Sequence, residues 1–198
     1  GEGGIWIDLG LPSGILWAEY NVGACSPEEC GDYYAWGETE VKQSYSEETY
    51  MYSEIKICAE DNKEYYEYAN IGSEISGTQY DVAHIKWDHG ARIPNSNELF
   101  ELLNNCSFEL GEYNNTSGVY VRGENGNSIF IPAAAAYNES GNAEKGSIVK
   151  LWSSTSIYDK WSCHGIDYGA YSLSLYLDFH DAPCIEFADG TCGLPIRP

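Results

Sequence analysis

Tyr80-Asp-Val-Ala-His-Ile-Lys-Trp-Asp-His-Gly-Ala-Arg-Ile-Pro-Asn-Ser-Asn-Glu-Leu-Phe-Glu-Leu-Leu-Asn-Asn-Cys106 carries the clearest periodicity in the chain, and reads as two short helices joined by a tight connector. In the second helix Leu99, Leu102 and Leu103, with Phe100 and Cys106 alongside, recur at the spacing of one buried face, while Glu98, Glu101, Asn104 and Asn105 face water. Its start is marked by Asn95 as N-cap, by Glu98 three residues on as the partner in a capping box, and by Pro94, which holds Ile93 extended. Val82, Ala83, Ile85 and Trp87 give the first helix a weaker apolar face, and His89-Gly90 supplies its stop.

Outward from this stretch the chain reads as strands and loops. Trp6–Ala18 predicts two strands about a Pro-Ser-Gly turn, and Ser26-Pro27-Glu28-Glu29 a short helix ended by Gly31. Residues 38–78 turn polar and Tyr-rich without steady periodicity, as a long surface excursion would, and its Tyr45, Tyr50, Tyr52, Tyr65, Tyr66 and Tyr68 are expected to cover the core as loop packing more than to form a binding platform. Gly118–Arg122 and Ser128–Ile131 alternate about Gly123-Glu-Asn-Gly-Asn127 and form a hairpin. Leu151–Thr155 and Tyr171–Phe179 continue the sheet, and Cys184–Phe187 and Gly193–Arg197 are short closing segments. Leu194–Arg197 is expected to be a buried strand against Trp6–Leu9.

A chain of 198 residues is most simply one domain, residues 1–198, able to bury its own core. Asp and Glu number 31 against 10 Lys and Arg, a net charge of -21, and a field of that sign repels phosphate backbones and anionic lipid, so nucleic acid is excluded as a partner. The carboxylates are scattered and do not form a calcium loop. With 17 Tyr and 6 Trp the chain is rich in rings of the kind that binding surfaces present. The 7 Cys form no CxxC pair, which argues against structural zinc, and the odd count leaves at least one thiol unpaired. Cys25 with Cys30 and Cys184 with Cys192 are the candidate disulfides, because short separations in turn-like sequence suit closure, although spacing alone establishes neither. No apolar run reaches 18 residues, so no membrane span is expected. The Gly-x-Ser-x-Gly elbow and His-Glu-x-x-His are both absent, which argues against a hydrolase or zinc protease of those types.

Asp8-Leu-Gly-Leu-Pro-Ser-Gly-Ile-Leu-Trp-Ala18, Asn21-Val-Gly-Ala24, Gly31-Asp-Tyr-Tyr-Ala-Trp-Gly-Glu38, Glu74–Ala83, Arg92-Ile-Pro94, Asn127–Ala134, Trp152–Thr155 and Ile196-Arg-Pro198 follow one another in an order that resembles the Fibrobacter succinogenes major paralogous domain family. Ala91 departs from it, standing where that family usually has Trp. The resemblance implies an α+β, C-type lectin-like fold, similar also to formylglycine-generating enzymes: two helices packed on a twisted, mostly antiparallel sheet with the N- and C-terminal strands adjacent. It further implies an exported protein of the cell or outer-membrane surface, lipid-anchored in its precursor, that binds a glycan or protein ligand without catalysis or serves as a structural or adhesion module. Fold does not fix function.

In folds of that kind the region Ser156–Cys192 carries the ligand face, and here it crowds Tyr158, Trp161, His164, Tyr168, Tyr176, His180 and Phe187 among acidic residues. Rings with interleaved carboxylates suit stacking on sugars or anchoring a protein. Asp178, Asp181, Glu186 and Asp189 are the calcium candidates, although the Glu-Pro-Asn and Trp-Asn-Asp signatures of calcium-dependent sugar binding are missing. Cys184 and Cys192 invite comparison with the copper-binding cysteines of formylglycine-generating oxidases, but their spacing and neighbours do not reproduce that motif.

Overall fold

The computed structural model describes residues 4–87, 90–138, 141–142, 145–160, 166–177 and 182–198. Along the chain run β1 (Trp6–Asp8), β2 (Leu16–Ala18), β3 (Ser53–Ile57), β4 (Glu64–Tyr68), α1 (Val82–Lys86), α2 (Ser96–Asn105), β5 (Cys106–Tyr113), β6 (Thr116–Gly123), β7 (Ser128–Pro132), β8 (Tyr137–Asn138), β9 (Gly141–Asn142), β10 (Ile148–Lys160), β11 (Ile166–Tyr176) and β12 (Cys184–Asp189). They form antiparallel sheets of order β1-β2, β3-β4, β5-β6-β7, β8-β9 and β10-β11-β12. No helix among the described residues is long and apolar enough to cross a membrane.

This overturns the expected α+β, C-type lectin-like architecture. The molecule is β-rich, built of small separate antiparallel sheets, and its two short helices do not share one sheet. They serve different cores. Val82 and Ala83 of α1 enter an aromatic core with Tyr34, Trp36, Tyr50, Tyr68, Trp152 and Tyr168, whereas Leu99 and Leu102 of α2 enter an aliphatic one with Leu9, Trp17, Val121, Ile131, Leu151 and Leu173. Five residues of α1 bury too little surface to anchor a sheet, and its Ile85, expected on the apolar face, is exposed.

The helix boundaries follow the sequence more closely. The Asn95 side chain accepts from Glu98 N at 3.0 Å and the Glu98 carboxylate from Asn95 N at 2.9 Å, which is the expected capping box. Phe100, however, is exposed. The hairpin of Gly118–Arg122 with Ser128–Ile131 forms as β6 and β7, Gly118 facing Pro132 and Arg122 facing Ser128. β5 was not expected. The chain passes from α2 straight into it, and Asn114 and Asn115, both at positive φ (48° and 65°), make the two-residue turn into β6 that a hairpin's twist requires. Ser26–Glu29 is a turn and not a helix, closed by Glu29 N on Ser26 O and by the Glu29 carboxylate on Cys25 N.

One further expectation fails on particular contacts. Leu194–Pro198 is buried but is no strand on β1: Ala18 N donates to Pro198 O (2.8 Å), Val22 N to Ile196 O (2.9 Å) and Trp152 N to Pro195 O (3.3 Å), while Tyr34 and Leu194 exchange bonds at 3.0 and 3.1 Å. β1 is already paired with β2, and Pro195, lacking N–H, enters only as an acceptor. Within residues 38–78 Tyr45, Tyr50, Tyr68 and Ile75 are buried against the core, as tyrosines that cover a core from a loop would be, and β3 and β4 pair there.

Candidate functional site

Of the residues expected to form the ligand face, Trp161, His164 and His180 lie outside the described residues, as do the calcium candidates Asp178 and Asp181. The others do not converge. Tyr158 and Tyr168 face one another across β10 and β11, but Tyr168 is only 3% exposed: it stacks on Tyr68 at 5.0 Å, meets Trp36 edge-on and takes a hydrogen bond from Tyr50 at 3.2 Å. Burial pushes its phenol up to about 12. Tyr168 is therefore a core residue. Tyr176, at the opposite end of β11, donates to Glu186 at 3.1 Å. Phe187 pairs with Tyr171, which by strand alternation puts it on the other face of the sheet from Tyr158, Tyr168 and Tyr176.

The remaining acidic candidates are engaged with protein. Glu186 pairs with Lys150 at 3.0 Å, and Asp189 caps the turn after β12 through Thr191 N (2.9 Å) and Thr191 Oγ1 (2.8 Å). No cluster of three metal-binding side chains occurs among the described residues. Cys25 and Cys30 are free thiols, and no disulfide joins Cys184 to Cys192, so neither candidate bridge forms.

A different part of the chain makes a cleft, of about 290 Å³, lined by Trp6, Ile15, Leu16, Trp17, Gly90, Arg92, Pro94, Glu98 and Pro198. Its two sides come from sequence far apart. One is the β1–β2 hairpin, in which Trp6 pairs with Ala18 and Ile7 with Trp17. The other is the connector Arg92–Pro94 and the first turn of α2. The Glu101 carboxylate ties them together, accepting from Ser13 N at 2.8 Å and Ser13 Oγ at 2.5 Å, so the hairpin turn is clamped to α2.

The polar side of the cleft is the Arg92–Glu98 pair. Both guanidinium Nη atoms meet the carboxylate, Nη1 at 2.7 Å from Oε2, in the fork-on-fork geometry that adds direction to charge. Burial works against the Glu98 carboxylate, yet the bonds from Arg92 and from Asn95 N–H outweigh it and hold the group below its ordinary range. Glu98 holds Arg92 above its own. The capping box thus does double duty, fixing the start of α2 and the orientation of the acceptor. On the apolar side Trp6 is braced edge-on by Trp87 at 6.2 Å, and Trp87 in turn by Tyr20 at 5.8 Å. Trp17 is buried, and its indole N–H has no acceptor among the described residues.

The sequence places Trp6 and Trp17 on strands and Glu98 in a cap, and no local pattern joins them. The available signal was two tryptophans flanking one hairpin turn, but about 80 residues separate that hairpin from Arg92, and nothing local states that they meet. Set against protein-family models, curated proteins and solved structures, the chain matches none.

Proposed function

We propose that the chain is a non-catalytic binding domain of the cell surface that takes a neutral glycan, by one or two sugar rings, in the cleft between the β1–β2 hairpin and α2. The observation that carries this reading is the pairing of a braced tryptophan with a bidentate Arg92–Glu98 fork on one cleft. A ring face suits the C–H face of a sugar, and a fixed carboxylate and guanidinium offer an acceptor and donors to its hydroxyls. The cleft's cation and anion neutralise each other, while a net charge of -21 over the whole chain disfavours acidic ligands. A volume of about 290 Å³ lies at the small end for ligand pockets. Among the described residues that line it, the ionisable side chains Arg92 and Glu98 are tied in that ion pair, an arrangement suited to recognition more than to proton transfer. Export and surface attachment are supported by the acidic composition and by the order of motif blocks resembling the Fibrobacter succinogenes major paralogous domain family.

Glycan-array screening followed by calorimetric titration tests the reading. Trp6→Ala and Glu98→Gln should each weaken the recovered ligand on the order of ten-fold or more, the loss expected of a central contact. Binding that survives both substitutions in folded protein would move the ligand elsewhere, with Tyr158→Ala and Phe187→Ala as the next variants.

A further inference from the structure

Among the described residues no further strand pairs with the β3 edge of the β3–β4 hairpin, and that edge is self-complementary. Its ladder uses alternate residues of β3: Ala69 N donates to Tyr52 O and Cys58 N to Lys63 O, each at 2.8 Å, which with the register Glu54 to Glu67 and Lys56 to Tyr65 turns the main-chain groups of Glu54 and Lys56 toward β4. Those of Ser53, Ile55 and Ile57 therefore face away. No hydrogen bond from any other described segment reaches the outward groups of Ile55 or Ile57. Their side chains are 59% and 65% exposed, as large apolar groups on an unpaired edge.

We propose that this edge pairs with the same edge of a second copy of the chain, antiparallel about a two-fold axis at Ile55, giving a four-stranded sheet. In that register Ile55 meets Ile55 at a hydrogen-bonded site, where its outward N–H and C=O groups already point, and Ile57 meets Ser53, whose N–H donates to Tyr50 O at 3.3 Å and would have to turn from it to complete the pair. Glu54 then lies opposite Lys56 of the second copy, twice, at the non-hydrogen-bonded sites where facing side chains come closest. Glu54 and Lys56 are now an ion pair within their own strand, both well exposed, so the exchange needs no buried charge to be uncovered. Charge also fixes the register. Sliding one copy by two residues sets Lys56 against Lys56 in one direction and Glu54 against Glu54 in the other, and a parallel in-register pair does both. Joining the edges would gather Ile55 and Ile57 of both copies into one strip and end the isolation of a two-stranded hairpin, which by itself is marginally stable.

The whole-chain charge of -21 opposes association, so the local pattern must work at physiological salt, where repulsion beyond about 8 Å is screened. Sedimentation velocity of the full chain over micromolar to near-millimolar concentrations is the test. Wild type should show a concentration-dependent dimer, and the amides of Ile55 and Ile57 should exchange more slowly in it. Lys56→Glu and Glu54→Lys should each weaken the dimer on the order of ten-fold or more, since two favourable cross-strand pairs become two repulsive ones. Glu54→Lys is expected to do so although it lowers the overall negative charge, which separates the local pattern from whole-chain repulsion. The double variant E54K/K56E exchanges the signs and should restore the dimer, with thermal melting confirming that each variant is folded. A monomer at every concentration, or a dimer indifferent to Lys56→Glu, overturns the proposal.

Discussion

Arg197 is wholly buried, and its guanidinium is satisfied without a carboxylate: Nε donates to Asn21 Oδ1 at 2.7 Å, Nη1 to Ala18 O at 3.1 Å and Glu19 O at 2.7 Å, and Nη2 to Phe130 O at 3.0 Å. Burial pulls its pKa down to about 9, still far enough above neutrality for the side chain to remain charged in ordinary buffers. The fork holds the segment after β2, the C-terminal segment and β7 in one network. Arg197→Met removes the donors and leaves buried carbonyls unpaired, so it should lower stability on the order of 3 kcal/mol or more in equilibrium urea unfolding. Arg197→Lys should recover only part of this, because an ammonium cannot present the same planar set of donors. Tyr168 teaches the complementary lesson. An amphipathic ring in an acidic aromatic segment reads equally well as ligand platform or as core, and here the rings of Tyr50, Tyr68 and Trp36 around it make it core.

Among the elements, α2 is the one whose start carries both structure and the candidate site. Asn95→Ala removes half of the capping box and should cost about 1 kcal/mol. The pH dependence has a definite sign. Glu98 has a lowered pKa in the folded protein, so its contribution is full above the ordinary carboxylate range and is lost as pH falls through the folded value. Asp81, the N-cap of α1, runs the other way. Burial raises it despite bonds from Gly77 N, His84 N and Ile93 N, so its contribution is greatest in acid and is lost as pH rises through the folded value. Glu98→Gln should therefore flatten the loss of stability on acidification, as read by chemical unfolding at successive pH values. An unchanged acid slope would show that the Arg92–Glu98 pair adds nothing to folding.

For the whole molecule, the C-terminal segment is the part on which the sheets converge. Leu194, Ile196 and Arg197 are buried and bond to β2, to the segment after it and to Tyr34, while Pro195 O accepts from Trp152 N of β10. Removing Leu194–Pro198 should abolish cooperative folding, because losing two core aliphatic side chains and the Arg197 network is comparable with the total of about 5–15 kcal/mol available to a domain. Loss of near-ultraviolet circular dichroism and of a sharp melting transition is the expected result. A truncated chain that melts like the full one would show these contacts to be idle.

By itself the sequence determined what depends on neighbours along the chain. The capping box at Asn95 and Glu98, the inward Leu99 and Leu102, the hairpin about Gly123–Asn127 and the acidic surface all follow from short spacings and composition, because caps, turns and periodic faces are local in their physics. Tertiary structure alone decided that α1 and α2 serve different cores, that Leu194–Pro198 lies along β2 and Trp152 instead of β1, and that Trp6 meets Arg92 and Glu98 across one cleft. Each of those contacts joins residues far apart in sequence. Which distant partner an apolar face or a free strand edge takes is set by competition among all the surfaces that need burial, and no local pattern records its outcome.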